Sequence, residues 1–291
     1  MILVTGSSGL IGRHLCARLR ASGRAFREFD IRNCAQHSIL NRQSLEAALQ
    51  DVTGVVHLAA VSRVVWGERD PAGCFATNVE ALNALVDLCA LGSRPWLIFA
   101  SSREVYGNPR QLPVQESDTL QPINVYGRSK RDGESLVQAG RERGLVTNIC
   151  RFSNVFGCSQ DHPDRVVMAF AGVAARGGVM SIEGSTNTFD FTAVEDVVDG
   201  LILAMQAASE GEILPPIHFV SGRGTTLREL AEMAATHAMG AVEMIEMPGR
   251  NFDVASFIGD PSRARELLGW RTSFDLKSRV SQLVADLAAA R

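Results

Sequence analysis

The stretch Gly6-Ser7-Ser8-Gly9-Leu10-Ile11-Gly12 follows the apolar run Ile2–Thr5 directly and opens the striped segment Leu10–Ser22. A glycine loop in that place lets the backbone turn tightly, approach a pyrophosphate closely and seat the helix on the strand. The helix N-terminus favours the anion. The alternative is a tight turn with no ligand. Asp30 ends the next strand-like run, 18 residues after Gly12. A carboxylate there can accept hydrogen bonds from the adenosine ribose hydroxyls and repels a 2′-phosphate. The loop and the acid predict a dinucleotide-binding turn that prefers NAD to NADP, with Arg32 as a nearby cation able to accommodate the extra phosphate.

Outward from this turn, apolar runs at Ile2–Thr5, Ala25–Asp30, Val55–Ala60, Trp96–Ser101 and Thr147–Ser153 alternate with helical stretches. That alternation is expected when crossover helices cover both faces of a parallel sheet, so the fold class is α/β, a doubly wound parallel sheet. Asp70-Pro71 reads as an N-cap with a first-turn proline for a helix ending near Gly92. A further helix spans Val125 to Arg143 and stops at Gly144. Past Gly157 the reading is a helix at Pro163–Arg176, a strand at Val179–Ile182, a helix from Glu195 to Ala208 and a strand at Ile217–Val220. The last two are expected to return to the main sheet. Thr226 with Glu229 forms a capping box, Asp260-Pro261 opens a helix that stops at Gly269, and Leu276–Ala290 closes the chain. No repeat or long linker interrupts the pattern, so a second lobe is interleaved with the first.

The 291 residues are 46% hydrophobic and 21% charged with a formal charge of −3, a composition that excludes a disordered, fibrous or disulfide-stapled chain. No run of Lys or Arg reaches four, which leaves no footprint for nucleic acid or an anionic membrane. The start of the chain has no signal-peptide pattern, and no segment is read as approaching the ~18 apolar residues of a membrane span. A cytoplasmic enzyme with a small polar metabolite as partner is expected. The six cysteines include no C-x-x-C pair and read as structural thiols. No metal site is expected.

Tyr126-Gly127-Arg128-Ser129-Lys130 places Tyr126 and Lys130 on one face at the start of a helix. A phenol with an ordinary pKa of about 10 is too weak a base near neutrality. A nearby ammonium and an oxidised nicotinamide would favour its ionised form. Of 29 basic residues only Lys130 and Lys277 are lysines, so a lysine at this point suggests that ammonium geometry matters. Ser102 follows the run Trp96–Ser101 at its carboxyl end, where open α/β sheets bind ligands. Its hydroxyl can hydrogen-bond a substrate oxygen while Tyr126 exchanges that oxygen's proton.

The loop Gly6–Gly12, Asp30, His57-Leu58-Ala59-Ala60, Asn78, Ser101–Gly107, Tyr126 with Lys130, and Arg151–Gly157 together resemble the extended short-chain dehydrogenase/reductases. The branch they resemble is the NAD-dependent nucleotide-sugar epimerase/dehydratases, of UDP-glucose 4-epimerase type. The likeness continues through Asp190-Phe191, Val194-Glu195-Asp196, Arg250–Val254 and Asp260–Trp270. It implies a Rossmann-type NAD-binding domain of residues 1–157 and 189–222, and a smaller interleaved C-terminal substrate-binding lobe of residues 158–188 and 223–291. It further implies that Tyr126 is the general acid/base, that Lys130 lowers its pKa and holds the nicotinamide ribose, and that Ser102 orients the sugar hydroxyl. Gly6, Gly9, Leu10, Ile11, Gly12, Asp30, Leu58, Ala59, Ala60, Asn78 and Ser153 would line the dinucleotide. Ser38 and Ile39 stand where such enzymes often place an acid against the adenine. Asn154 and Arg250 would hold the diphosphate end of a nucleotide-sugar.

The chain departs from the pattern in places. The third strand is truncated, Phe189 stands where an arginine commonly clamps the diphosphate, and Arg103-Glu104 replaces the acidic pair of the 4,6-dehydratases. Glu104 remains a candidate base. Ser62–Gly67 is similar to a segment of uronate-type 4-epimerases in which an arginine could face a carboxylate. The implied function is NAD-dependent 4-epimerisation of a nucleotide-sugar. The alternatives are a 4-ketoreductase, a dehydratase or decarboxylase, and, in another class, a non-catalytic dinucleotide sensor. A homodimer is expected through the helices Pro71–Leu91 and Val125–Arg143, from the apolar positions Phe75, Val79, Leu82, Leu85 and Val86.

Overall fold

The computed structural model describes residues 1–290. The strands in chain order are β1 (Ile2–Thr5), β2 (Phe26–Phe29), β3 (Gly54–His57), β4 (Trp96–Ser102), β5 (Thr147–Phe152) and β6 (Asn154–Phe156). They continue with β7 (Gly178–Glu183), β8 (Thr188–Ala193), β9 (Ile217–Phe219), β10 (Gly224–Thr226), β11 (Val242–Met247) and β12 (Ser256–Phe257). The main sheet has the order β2-β1-β3-β4-β5-β9, and every pairing in it is parallel. This is the expected doubly wound sheet. Its central strands β3, β4 and β5 are buried along their whole length, which is why they are apolar runs without alternation.

Successive side chains supply the two faces. Val4, Val56 and Ile98 pack with the helices Leu10–Ala21 and Val194–Ser209. Leu3, Val55 and Leu97 pack on the other side with Leu45, Leu82, Leu85 and Val137. Strand order reverses at β1, with β2 on one flank and β3 on the other. The carboxyl ends of β1 and β3 lie side by side, Thr5 opposite His57, with the Thr5 hydroxyl 2.9 Å from His57 Nδ1. Gly6 and Leu58 leave from these ends, so the glycine turn sits at the switch point where such sheets bind ligands.

Beyond β2 no further strand is present among the described residues, as the short segment before Arg42 predicts. Of residues 189–222, the helix Val194–Ser209 packs on the main sheet and β9 joins it. β8 instead lies in a smaller sheet with β6, β10 and β12. β7 and β11 form a separate parallel pair. The sequence pattern does not mark β6, β8, β10, β11 or β12, nor the helices Arg42–Ala48 and Val64–Arg69. β8 escaped notice because it carries Asp190, which is fully buried. The carboxylate of Asp190 is satisfied from a distance by the amides of Ser221 at 2.8 Å and Gly222 at 2.7 Å. The helix read from Pro163 begins at Val166, and the capping box of Thr226 with Glu229 is present.

Two expectations need correction. The helix Pro71–Leu91, 21 residues long, is by length and composition apolar enough to cross a membrane, although no segment was read as approaching that length. It packs as a core helix, with Leu82, Leu85, Val86 and Cys89 buried against the sheet side. The argument for a dimer counted Leu82, Leu85 and Val86 as surplus apolar surface. All three are already buried within the single chain, so only the half-buried Phe75 and Val79 remain of that surplus.

Candidate active site

A cleft of about 620 Å³ runs from the glycine turn, past the carboxyl ends of the strands, to the smaller sheet. At its first end Gly6 has a φ of 70°. A Cβ there would stand 2.6 Å from the Ala59 nitrogen, and a Cβ on Gly12 would stand 2.2 Å from the Gly6 carbonyl oxygen. The turn therefore closes only on hydrogen at both positions. The helix Leu10–Ala21 begins with neither a side-chain cap nor an acid in its first turn. Its first residues, Leu10, Ile11 and Gly12, line the cleft, and the Ser7 hydroxyl beside them is buried without a partner. An uncapped helix end above a cradle that a Cβ would fill fits the pyrophosphate of a dinucleotide.

Asp30 closes the back of this turn. Its carboxylate accepts from the Ser8 amide at 2.9 Å and from the Arg32 amide at 2.9 Å, and the Arg32 Nε stands 3.5 Å away. Gly6, Gly9, Leu10, Ile11, Gly12, Leu58, Ala60, Tyr126, Lys130 and Ser153 share the cleft wall, whereas Asp30, Ser38, Ile39, Ala59 and Asn78 stand outside it. Ile39 lies in the core with Phe29 and Leu45, and Ser38 accepts from the Leu40 amide at 3.3 Å. Asn78 is a buried clamp set by a π-helical turn over Ala76–Glu80. Its Oδ1 accepts from the Val61 amide at 2.8 Å, while its Nδ2 donates to the Val61 carbonyl at 3.1 Å and the Ser129 hydroxyl at 2.9 Å. It thereby ties the chain leaving β3 to the helix that carries Tyr126.

That helix, Val125–Glu142, is capped twice at its start. Asn124 Oδ1 accepts from the Gly127 amide at 2.7 Å, and Glu68 accepts from the Val125 amide at 2.7 Å. Tyr126 and Lys130 thus face the cleft from a fixed first turn. Burial pushes the Tyr126 phenol up to about 12. A hydrogen bond from the Ser102 hydroxyl opposes the rise, and the Glu104 carboxylate adds to it. The Ser102 oxygen also accepts from the Glu104 amide at 3.2 Å, which leaves the hydroxyl hydrogen free to donate. Lys130 is 3% exposed and donates to the Ala100 carbonyl at 2.8 Å. Burial brings its ammonium down to about 8, against the opposing influence of Cys74 and Glu134. The Lys130 ammonium is directed at β4 and lies 5.9 Å from the centre of the Tyr126 ring.

Glu104 has a partner on each oxygen. Its Oε1 pairs with Arg103 Nη2 at 2.9 Å and its Oε2 accepts from Asn124 Nδ2 at 2.7 Å. Toward the smaller lobe the cleft is lined by Ser153, Asn154 and Arg250. Ser153 donates to the Asp190 carbonyl at 2.6 Å, and Asn154 Nδ2 is buried without a partner. Arg250 pairs with Asp253 at 2.7 Å and Glu183 at 3.4 Å. Arg63 lines the same cleft and donates to the Asp164 carbonyl at 2.9 Å.

Sequence reasoning missed Asn124 and Glu68. Asn124 carries a local signal, an Asn just before a helical segment. Glu68 carries none, since its partner is remote in sequence.

Comparison with known proteins gives a consistent result. Residues 2–222 match the NAD dependent epimerase/dehydratase family. The chain is 26% identical over 311 residues to a UDP-glucose 4-epimerase of Lacticaseibacillus casei, covering 94% of this chain and 92% of that protein. It is 29% identical over 307 residues to UDP-glucuronic acid decarboxylase 3 of Arabidopsis thaliana, covering 98% and 88%. Among solved structures, MoeE5 in complex with UDP-glucose and NAD superimposes with a TM-score of 0.92 at 27% identity, covering 99% of this chain and 98% of that one.

Proposed function

The chain belongs to the NAD dependent epimerase/dehydratase family, and from that premise we propose that it is a nucleotide-sugar 4-epimerase acting by transient oxidation at the sugar C4. The observation that carries the proposal is the meeting of Ser102, Tyr126 and Lys130 in one cleft with the glycine turn. The turn Gly6–Gly12, with Leu58 and Ala60, would hold the cofactor. NAD, when bound, supplies the hydride acceptor for C4 and, in its oxidised form, a positive charge that favours an ionised phenol.

Tyr126 takes the 4-hydroxyl proton as C4 is oxidised and returns it as the 4-ketone is reduced. Ser102, with its oxygen already accepting from the Glu104 amide, donates its hydrogen either to the phenol oxygen or to the reacting sugar oxygen. This places a proton where charge develops. Lys130, docked on the Ala100 carbonyl, would hold the ribose side of the cofactor. Glu104, with both oxygens occupied, acts as a positioning group that fixes Arg103 and the Asn124 cap and not as a base. That arrangement supports epimerisation over 4,6-dehydration, which needs a free acid and base beside the sugar.

A second reading, decarboxylation of a nucleotide-uronate, is favoured by the 29% identity to the Arabidopsis thaliana decarboxylase. There the 4-ketone would make the C5 carboxylate a β-keto acid that loses carbon dioxide. Incubation with UDP-glucose and with UDP-glucuronic acid, followed by mass and NMR analysis, separates the two. Epimerisation preserves the mass and inverts C4, whereas loss of carbon dioxide from UDP-glucuronic acid would favour the second reading.

A further inference from the structure

Arg103 stands between Ser102 and Glu104 in the turn that leaves β4. Its guanidinium carbon lies 4.4 Å from the centre of the Phe189 ring, and its side chain is only 11% exposed. One nitrogen, Nη2, is paired with Glu104 at 2.9 Å. The other, Nη1, is buried with no partner. An unpaired buried donor is destabilising, more so when charged, so its presence calls for an explanation. Glu104 does not supply one, since its contact with the guanidinium is through Nη2 alone. Phe189 supports one face of the guanidinium and fixes its plane. Arg103 and Phe189 both line the cleft that holds Ser102 and Tyr126.

Resting on the nucleotide-sugar reading above, we infer that Arg103 is a substrate-binding residue whose free Nη1 edge takes an anionic oxygen of the ligand. That oxygen belongs either to the diphosphate or to a carboxylate on the sugar. A planar guanidinium held on an aromatic ring presents its N–H groups in a set direction, as recognition of either anion requires. The other cleft arginines are differently placed. Arg250 pairs with Asp253 and Glu183, Arg165 Nε stands 3.2 Å from Asp161 without a hydrogen bond, and Arg69 lies on the helix Val64–Arg69, away from the turn of Ser102. Arg63 also has a buried, unpartnered Nη1, but it rises from the chain before Val64–Arg69 and not from the turn of Ser102, and it serves as the comparison.

The test is calorimetric titration of NAD-loaded protein with UDP, UDP-glucose and UDP-glucuronic acid. The proteins are the parent chain, Arg103→Gln, Arg103→Lys, Glu104→Gln and Arg63→Gln. Arg103→Gln is expected to weaken binding by about 10- to 100-fold. Equal loss for all three ligands identifies the diphosphate, and loss confined to UDP-glucuronic acid identifies the sugar carboxylate. Arg103→Lys keeps the charge but not the fork and should recover only part of the loss, which also separates lost binding from lost folding. Glu104→Gln removes the ion pair that positions Arg103 but leaves the guanidinium, and should lose clearly less affinity than Arg103→Gln.

Parental affinity of Arg103→Gln for all three ligands overturns the inference. So does equal loss in Glu104→Gln and Arg103→Gln, which would make Arg103 only the partner of Glu104. A loss seen in Arg63→Gln and not in Arg103→Gln would assign the anion to Arg63. A parent chain that binds NAD but none of the three ligands would instead overturn the nucleotide-sugar reading itself, and the inference with it.

Discussion

The Lys130 ammonium donates to the Ala100 carbonyl across 2.8 Å, so the lysine of the Tyr126 helix is docked onto the edge of β4. Burial brings it from an ordinary 10.5 down to about 8. Between those two values the unfolded chain holds a proton that the folded chain has released, so stability should rise with pH across that window. Urea midpoints measured from pH 7 to 10.5 should therefore climb for the parent chain relative to Lys130→Met. A constant difference across the window would mean that the ammonium is solvated and not docked.

Removing the phenolic oxygen of Tyr126 leaves the ring in place, so Tyr126→Phe should keep its thermal midpoint and its affinity for NAD. Turnover should fall about 10²–10⁴-fold, the usual worth of a general acid/base. The chain has only two tyrosines, and Tyr106 is pushed up further by its own burial. An ultraviolet difference titration of parent against Tyr126→Phe thus isolates one phenol. In the cofactor-free protein it should ionise near 12, and NAD loading should bring that value down. Unchanged turnover in the variant would assign the proton to another group.

His57 and His218 are both buried, and burial holds both imidazoles neutral, down to about 3 from an ordinary 6.5. Unfolding lets them take up protons below 6.5, so the stability they allow is complete above that pH and is lost as pH falls toward 3. Each should remove roughly 1 kcal/mol per pH unit in that interval. His57→Asn and His218→Asn should flatten the acid limb of the urea midpoint against pH. An acid limb as steep in the double variant as in the parent would place the loss on the carboxylates alone.

Asp30 holds the Ser8 and Arg32 amides, and a carboxylate there would repel a 2′-phosphate. The parent chain should bind NAD at least tenfold more tightly than NADP, about the worth of one removed like-charge contact. Asp30→Ala should narrow that ratio. Equal or tighter NADP binding by the parent would show that Arg32, whose side chain is 62% exposed, overrides the acid.

What the sequence made legible was local. The turn Gly6–Gly12 and the pair Tyr126 and Lys130 each lie within a few residues, so spacing alone brings them to one face. The parallel sheet was legible for a similar reason, since strands buried on both faces are continuous apolar runs. Contacts between distant segments were not legible. Asp190 meets Ser221, Glu68 meets the Val125 amide, and Arg103 meets Phe189, and no periodicity encodes any of them. Asn78 was read as a cofactor contact, and its buried clamp on Val61 became visible only with the π-helical turn in place. Arg103 was read as the loss of a dehydratase acid, because its support by Phe189 depends on how the smaller sheet meets the main one.

The central claim is reversible oxidation at C4 with no net redox, and following a deuterium placed at C4 of UDP-glucose tests it most directly. The protein should convert the labelled sugar to its C4 epimer with the deuterium still on C4, the mass unchanged and no accumulation of reduced cofactor. Tyr126→Phe should leave the labelled UDP-glucose largely unconverted. Loss of water from the product, or reduced cofactor appearing in proportion to product, would contradict the account.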